Sequence, residues 1–108
     1  MSAKSEYEAA YFTLLRAREE HGDLMRYREW LTSEQQRLED FAAATREREE
    51  ALPRRLLRPL NATTRPMLDA LGRRRAMVVD ERKKIDERIA SAQAFVEECE
   101  AEVASLRP

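Results

Sequence analysis

The apolar residues of this chain repeat at helical spacing in two long runs separated by prolines. From Tyr7 to Leu52 there is no proline and a single glycine, Gly22. Leu24, Leu31, Leu38 and Leu52 fall on one heptad position, with Ala10, Ala17 and Thr45 in the same phase. Tyr7, Leu14, His21, Arg28, Gln35, Ala42 and Glu49 occupy the other seam position, which turns polar in its middle. The second run is more regular. Leu68, Leu71, Arg75, Val78, Arg82, Ile85, Ile89, Ala92, Val96, Cys99, Val103 and Leu106 alternate spacings of three and four, the signature of a coiled-coil seam.

Local signals bound these runs. Ser5-Glu6-Tyr7-Glu8 has the Ser-x-x-Glu spacing of a capping box and predicts a helix start. Pro53, Pro59 and Pro66 each remove a backbone donor and clash with the preceding helical turn, so they predict a turn between the helices. Thr63 or Thr64 is placed to cap the second helix, with Pro66 in its first turn. The expectation is an all-α fold: one domain over 1–108, with a helix at 5–52, a basic turn at 53–66 and a helix at 67–107. The helices must be antiparallel, because so short a linker cannot return the chain to its starting end. Pairing Leu52 with Leu68 sets partner numbers that add to about 120. Breaks at Gly22, Thr32 or Gly72 would instead make a three- or four-helix bundle.

A two-helix hairpin buries one stripe per helix, yet the first helix carries Tyr11, Phe12, Leu15, Trp30 and Phe41 outside its seam. Apolar surface left in water costs about 25 cal/mol per Å², so these residues predict a protein interface. Either two hairpins form a homodimeric four-helix bundle or the surplus docks on another protein.

Composition supports this picture. Charged residues make up 38% of the 108 residues, and there are only two glycines, as in long helices rather than large globular cores. The net charge of -1 hides a sorting: residues 1–52 carry -4, 53–75 carry +6 and 76–108 carry -3. Arg54, Arg55, Arg58, Arg65, Arg73, Arg74 and Arg75 form the basic island, a candidate site for an anion or an acidic partner, since guanidinium groups grip phosphate and carboxylate through paired donors. The competing expectation is that they pair with Glu47, Glu49 and Glu50 on the facing helix end. The island lacks aromatic residues to stack on bases, which ranks nucleic acid below protein as a target.

Catalytic and metal chemistry find little support. Cys99 is the single cysteine, which excludes an internal disulfide and a cysteine-rich zinc site. The register of about 120 brings it near His21, but two ligands fall short of a zinc shell and a helical seam supplies no oxyanion site. Neighbouring glutamates such as Glu19-Glu20 and Glu97-Glu98 diverge on a helix and form no acid/base pair. Arg28, Gln35 and Arg82 interrupt the seam, where polar groups fix register or partner choice at a cost in stability. No signal-peptide run or membrane-length apolar stretch is present, and with the lone cysteine this points to a cytoplasmic protein. Arginine outnumbers lysine 17 to 3, as in the proteins of GC-rich bacteria.

Asp23-Leu24-x-x-x-Arg28-x-x-Leu31 resembles bacterial anti-sigma hairpins that bind a cyclic dinucleotide, over that short stretch alone. Met25 and Thr32 stand where that family has Ser and Gln, and Trp30 lacks the following x-Gly turn of ESX-type hairpins, so neither family's residues are carried over. The functional expectation is a non-enzymatic helical-hairpin adaptor or regulator, without cofactor or metal, that binds another protein or itself. A nucleic-acid-binding hairpin with a phosphate-contacting tip is the first alternative, and a structural subunit of a larger helical assembly is the second.

Overall fold

The computed structural model describes residues 2–107, and these form two α-helices, α1 (Ala3–Glu50) and α2 (Arg54–Leu106), paired as an antiparallel hairpin. The chain divides into two compact units: a terminal unit, Met1–Glu29 with Lys83–Pro108, and a turn unit, Trp30–Arg82.

Both heptad phases of α1 face its partner helix. Tyr7, Ala10, Leu14, Ala17, His21, Leu24, Arg28, Leu31, Gln35, Leu38, Ala42, Thr45 and Glu49 are all buried or half-buried, in an unbroken three-four alternation. Leu52 is the exception, 40% exposed beyond the end of α1. In heptad letters, a falls on Tyr7, Leu14 and every seventh residue of α1 onward, and on Leu68, Arg75 and every seventh residue of α2; position d lies three residues after each a.

The helix start lies three residues earlier than the Ser5 box suggests. Ser2 is the cap: its Oγ accepts from the Ser5 amide at 3.2 Å, and its carbonyl accepts from the Glu6 amide at 3.1 Å. That satisfies donors which a helix starting at Ala3 leaves without intrahelical partners. Helix α1 then continues through Gly22 and Thr32, and α2 through Gly72. A single glycine costs a helix about 1 kcal/mol, less than the packing of one seam residue returns.

The larger correction concerns the expected basic turn at 53–66, most of which is helix. The connection shrinks to residues 51–53, closed by the Leu52 amide on the Glu49 carbonyl at 3.0 Å and the Leu56 amide on the Pro53 carbonyl at 2.9 Å. Pro59 and Pro66 lie inside α2, seven residues apart and both exposed. Each deprives the carbonyl four residues earlier, at Arg55 and Ala62, of its helical donor. Those residues are exposed too, so water can take the lost bonds while the seam is undisturbed. Leu57, Leu60, Thr64, Leu68 and Leu71 keep that seam half-buried or buried through the proline segment. Neither threonine caps a helix: Thr63 Oγ1 donates to the Leu60 carbonyl at 3.0 Å, and Thr64 is buried in the seam.

Cross-helix partners fix the register. Their numbers add to 118 at Arg18–Glu100, 114 at Arg28–Asp86, 117 at Gln35–Arg82 and 114 at Glu39–Arg75, a few residues short of 120. Leu52 therefore has no partner at Leu68; it lies beside Leu60 and Thr64.

Candidate interaction surfaces

The basic island is the first candidate. Arg54, Arg55, Arg58, Arg65, Arg73, Arg74 and Arg75 are all exposed on α2 in the turn unit. Arg75 alone is tied down: its Nε donates to Glu39 Oε1 at 2.7 Å, not to Glu47, Glu49 or Glu50. Among the described residues no carboxylate comes within ion-pair distance of the other six. The expected neutralisation by the facing glutamates is absent. Nor do the arginines converge. At 100° per residue, Arg54, Arg58 and Arg65 share one direction, Arg55 and Arg73 point about 80° away, and Arg74 about 180° away. The island is a stripe of three guanidinium groups with others distributed around the helix.

The polar seam residues of the turn unit form a network. Arg82 Nη1 donates to Gln35 Oε1 at 2.6 Å across the helices. Gln35 Nε2 donates to Glu39 Oε1 at 3.0 Å, and Arg75 closes on the same carboxylate from α2. The Gln35 hydrogen bond, followed by that of Arg75, holds the Glu39 carboxyl below its ordinary value. Glu34, though buried, is bonded by Arg37 at 2.8 Å. Glu49 is less well provided, since its Oε1 is buried without a hydrogen-bond partner.

The five apolar candidates on α1 are exposed, but they do not make one face. Tyr11, Phe12 and Leu15 belong to the terminal unit, at positions e, f and b. They are 41%, 64% and 41% exposed, and Tyr11 stacks on Tyr7 with ring centroids 6.3 Å apart. Trp30 and Phe41 belong to the turn unit, at positions c and g, and each is 49% exposed. In an antiparallel pair g flanks g and e flanks e, as the Arg18–Glu100 bridge between two e positions shows. The candidates therefore divide between opposite flanks of the seam.

Reading the first helix alone missed the matching residues on α2. Met67 and Met77, at g and c of the turn unit, are 36% and 69% exposed, and Leu56 is 45% exposed. Phe95, at g of the terminal unit, is 47% exposed. Their heptad phase was the available signal. Phe95 stands between two open grooves, one of about 610 Å³ lined by Ala9, Ala10, Thr13, Cys99 and Leu106, the other of about 450 Å³ lined by Ala17, Leu24, Ser91 and Ala92. Glu6, Glu98 and Glu102 border the first, Glu20, Glu87 and Arg88 the second.

Cys99 is buried among Leu14, Ala17, Val96 and Val103, packing as a small apolar side chain. His21, half-buried, is not part of that cluster. Among the described residues no group of three or more His, Cys, Asp or Glu side chains is placed to hold a metal ion, and no helix is long and apolar enough to cross a membrane. No protein-family model matches the chain, and comparisons with characterised proteins and with solved structures return no match.

Proposed function

We propose that this protein is a non-enzymatic helical-hairpin adaptor or regulator that works by docking on another protein. One observation carries the reading. Among the described residues, eleven large apolar side chains are at least a third exposed, whereas nine apolar side chains are buried. An isolated hairpin gains nothing from that surplus, and exposed apolar groups clustered on a flank, as Tyr11, Phe12 and Leu15 are, mark a contact. Tyr11, Phe12, Leu15, Trp30 and Phe41 supply aromatic and aliphatic anchors, the residue types that dominate binding energy at interfaces. The unpaired arginines add charge-based selection of an acidic partner surface.

The exposed stripe of Arg54, Arg58 and Arg65 favours one second reading, contact with nucleic-acid phosphates. Affinity capture from native lysate separates the two. On the adaptor reading, wild type retains a specific protein after nuclease treatment, a Phe12→Ser/Leu15→Ser variant loses it, and capture weakens by at most about tenfold on replacing the three stripe arginines with alanine. Capture abolished by nuclease contradicts the adaptor reading and supports the phosphate reading. Retention by the Phe12→Ser/Leu15→Ser variant argues against these anchors.

A further inference from the structure

We infer that the g/c flank is an interface between two copies of this chain: the turn unit of one copy seats its methionines and aromatic residues on the Phe95 grooves of the other. This deepens the adaptor reading by assigning one flank to self-association, which leaves Tyr11, Phe12 and Leu15 for the partner.

Three observations support the occupant. The first is charge. The groove in the terminal unit is bordered by Glu6, Glu20, Glu87, Glu98 and Glu102 against Arg88. The g/c flank of the turn unit carries exposed Arg37, Arg48 and Arg74 against Glu34, buried and bound by Arg37, and half-buried Glu81; Arg48 and Arg74 have no carboxylate within ion-pair distance among the described residues. Each copy thus carries an acid-bordered trough and a cationic ridge of its own.

The second is shape. Ala9, Ala10, Ala17, Ser91 and Ala92 keep the trough floor low on either side of Phe95. The ridge residues Phe41, Met67 and Met77 are long and exposed, and methionine adapts readily to an irregular groove.

The third is area. Trp30, Phe41, Leu56, Met67, Met77 and Phe95 are between 36% and 69% exposed, so each copy offers six large apolar side chains toward the ~800 Å² per partner of a stable interface. A two-fold pair makes the contact twice, since each copy offers both surfaces.

Reciprocal charge reversal tests this. One variant, Glu98→Arg/Glu102→Arg, makes the trough cationic; a second, Arg48→Glu/Arg74→Glu, makes the ridge acidic. All four positions are exposed, and circular dichroism checks that each variant keeps its helix content. Sedimentation equilibrium is expected to find the wild type dimeric, with the dimer weakened by salt. Each variant alone shows a dimer dissociation constant raised at least about tenfold, because like charges now meet. Mixed one to one, the two variants recover a dimer, since the cationic trough meets the acidic ridge and the native trough meets the native ridge. Phe95→Ser, at a non-core position, is monomeric yet folded. A monomeric wild type, variants that remain dimeric, or a mixture that fails to reassociate overturns the inference. The adaptor reading is scored separately: a monomeric wild type that still captures a protein through Phe12 and Leu15 removes the self-interface and keeps the adaptor. A dimer that captures nothing does the reverse.

Discussion

The terminal unit and the turn unit share one helix pairing but are held together by different chemistry. The terminal unit contains seven of the nine buried apolar residues: Leu14, Ala17, Ile85, Ile89, Val96, Cys99 and Val103. The turn unit has only Leu31 and Val78, and it holds all three buried polar residues, Glu34, Thr45 and Thr64, beside the Arg82–Gln35–Glu39–Arg75 network. Apolar burial is non-directional and additive, whereas a hydrogen-bonded network contributes only about 1 kcal/mol per bond and penalises any wrong register. The comparison teaches that the terminal unit contributes most of the apolar burial, while the turn unit relies more on a polar network that, with the ion pairs of the terminal unit, sets the register. It also leaves the turn unit with fewer buried contacts to resist local opening.

The largest expected effect lies in the apolar unit. Ile85 is fully buried, so Ile85→Ala removes its packing and leaves a cavity, costing about 3 kcal/mol in urea unfolding. A loss below about 1 kcal/mol would erase the contrast between the units.

Next comes the network. Gln35→Ala strands the guanidinium of Arg82 and costs about 1–2 kcal/mol, whereas Gln35→Leu/Arg82→Met replaces both partners with apolar groups and restores or exceeds wild-type stability. A double-mutant cycle measures the difference, and strict additivity would show that the pair does not interact.

Gly72→Ala has a smaller effect of opposite sign. A β-carbon there meets nothing within 4 Å, so alanine stabilises the turn unit by about 1 kcal/mol through helix propensity. Destabilisation on thermal unfolding would mean that the site is more crowded than the helix geometry shows.

The smallest effect is pH-dependent. Because the native Glu39 carboxyl titrates below its ordinary value of 4.5, its stabilising contribution is complete above that value. The contribution is lost as pH falls through the lowered native value, where the proton removes the charge that Gln35 and Arg75 bind. Glu39→Gln flattens the part of the stability profile that falls as pH drops below 4.5. An unchanged acid limb would assign it to other carboxylates.

The sequence made the hairpin legible because both seams were written in apolar spacing, down to the polar interruptions at Arg28, Gln35 and Arg82. The proline segment was not legible from breaker rules. Those rules treat every helical position alike, whereas Pro59 and Pro66 lie on the solvent face, where lost carbonyl partners are replaced by water. The Ser5 box misled for a related reason: a cap is chosen by which serine precedes the first helical residue, and Ser2 stood earlier. Among site residues, the exposure of Tyr11, Phe12, Leu15, Trp30 and Phe41 followed from their distance from the seam. Their division between opposite flanks, and the matching exposure of Met67, Met77 and Phe95, needed the partner helix in register.

Hydrogen exchange followed by mass spectrometry across a protein-concentration series tests most directly whether the two flanks have different occupants. Binding to a folded state raises its protection by mass action. The account predicts that peptides covering 67–77 and 91–106 gain protection as concentration rises, while those covering 8–15 keep monomer-like rates until a partner is added. Protection independent of concentration in all three, or a gain centred on 8–15, would contradict it.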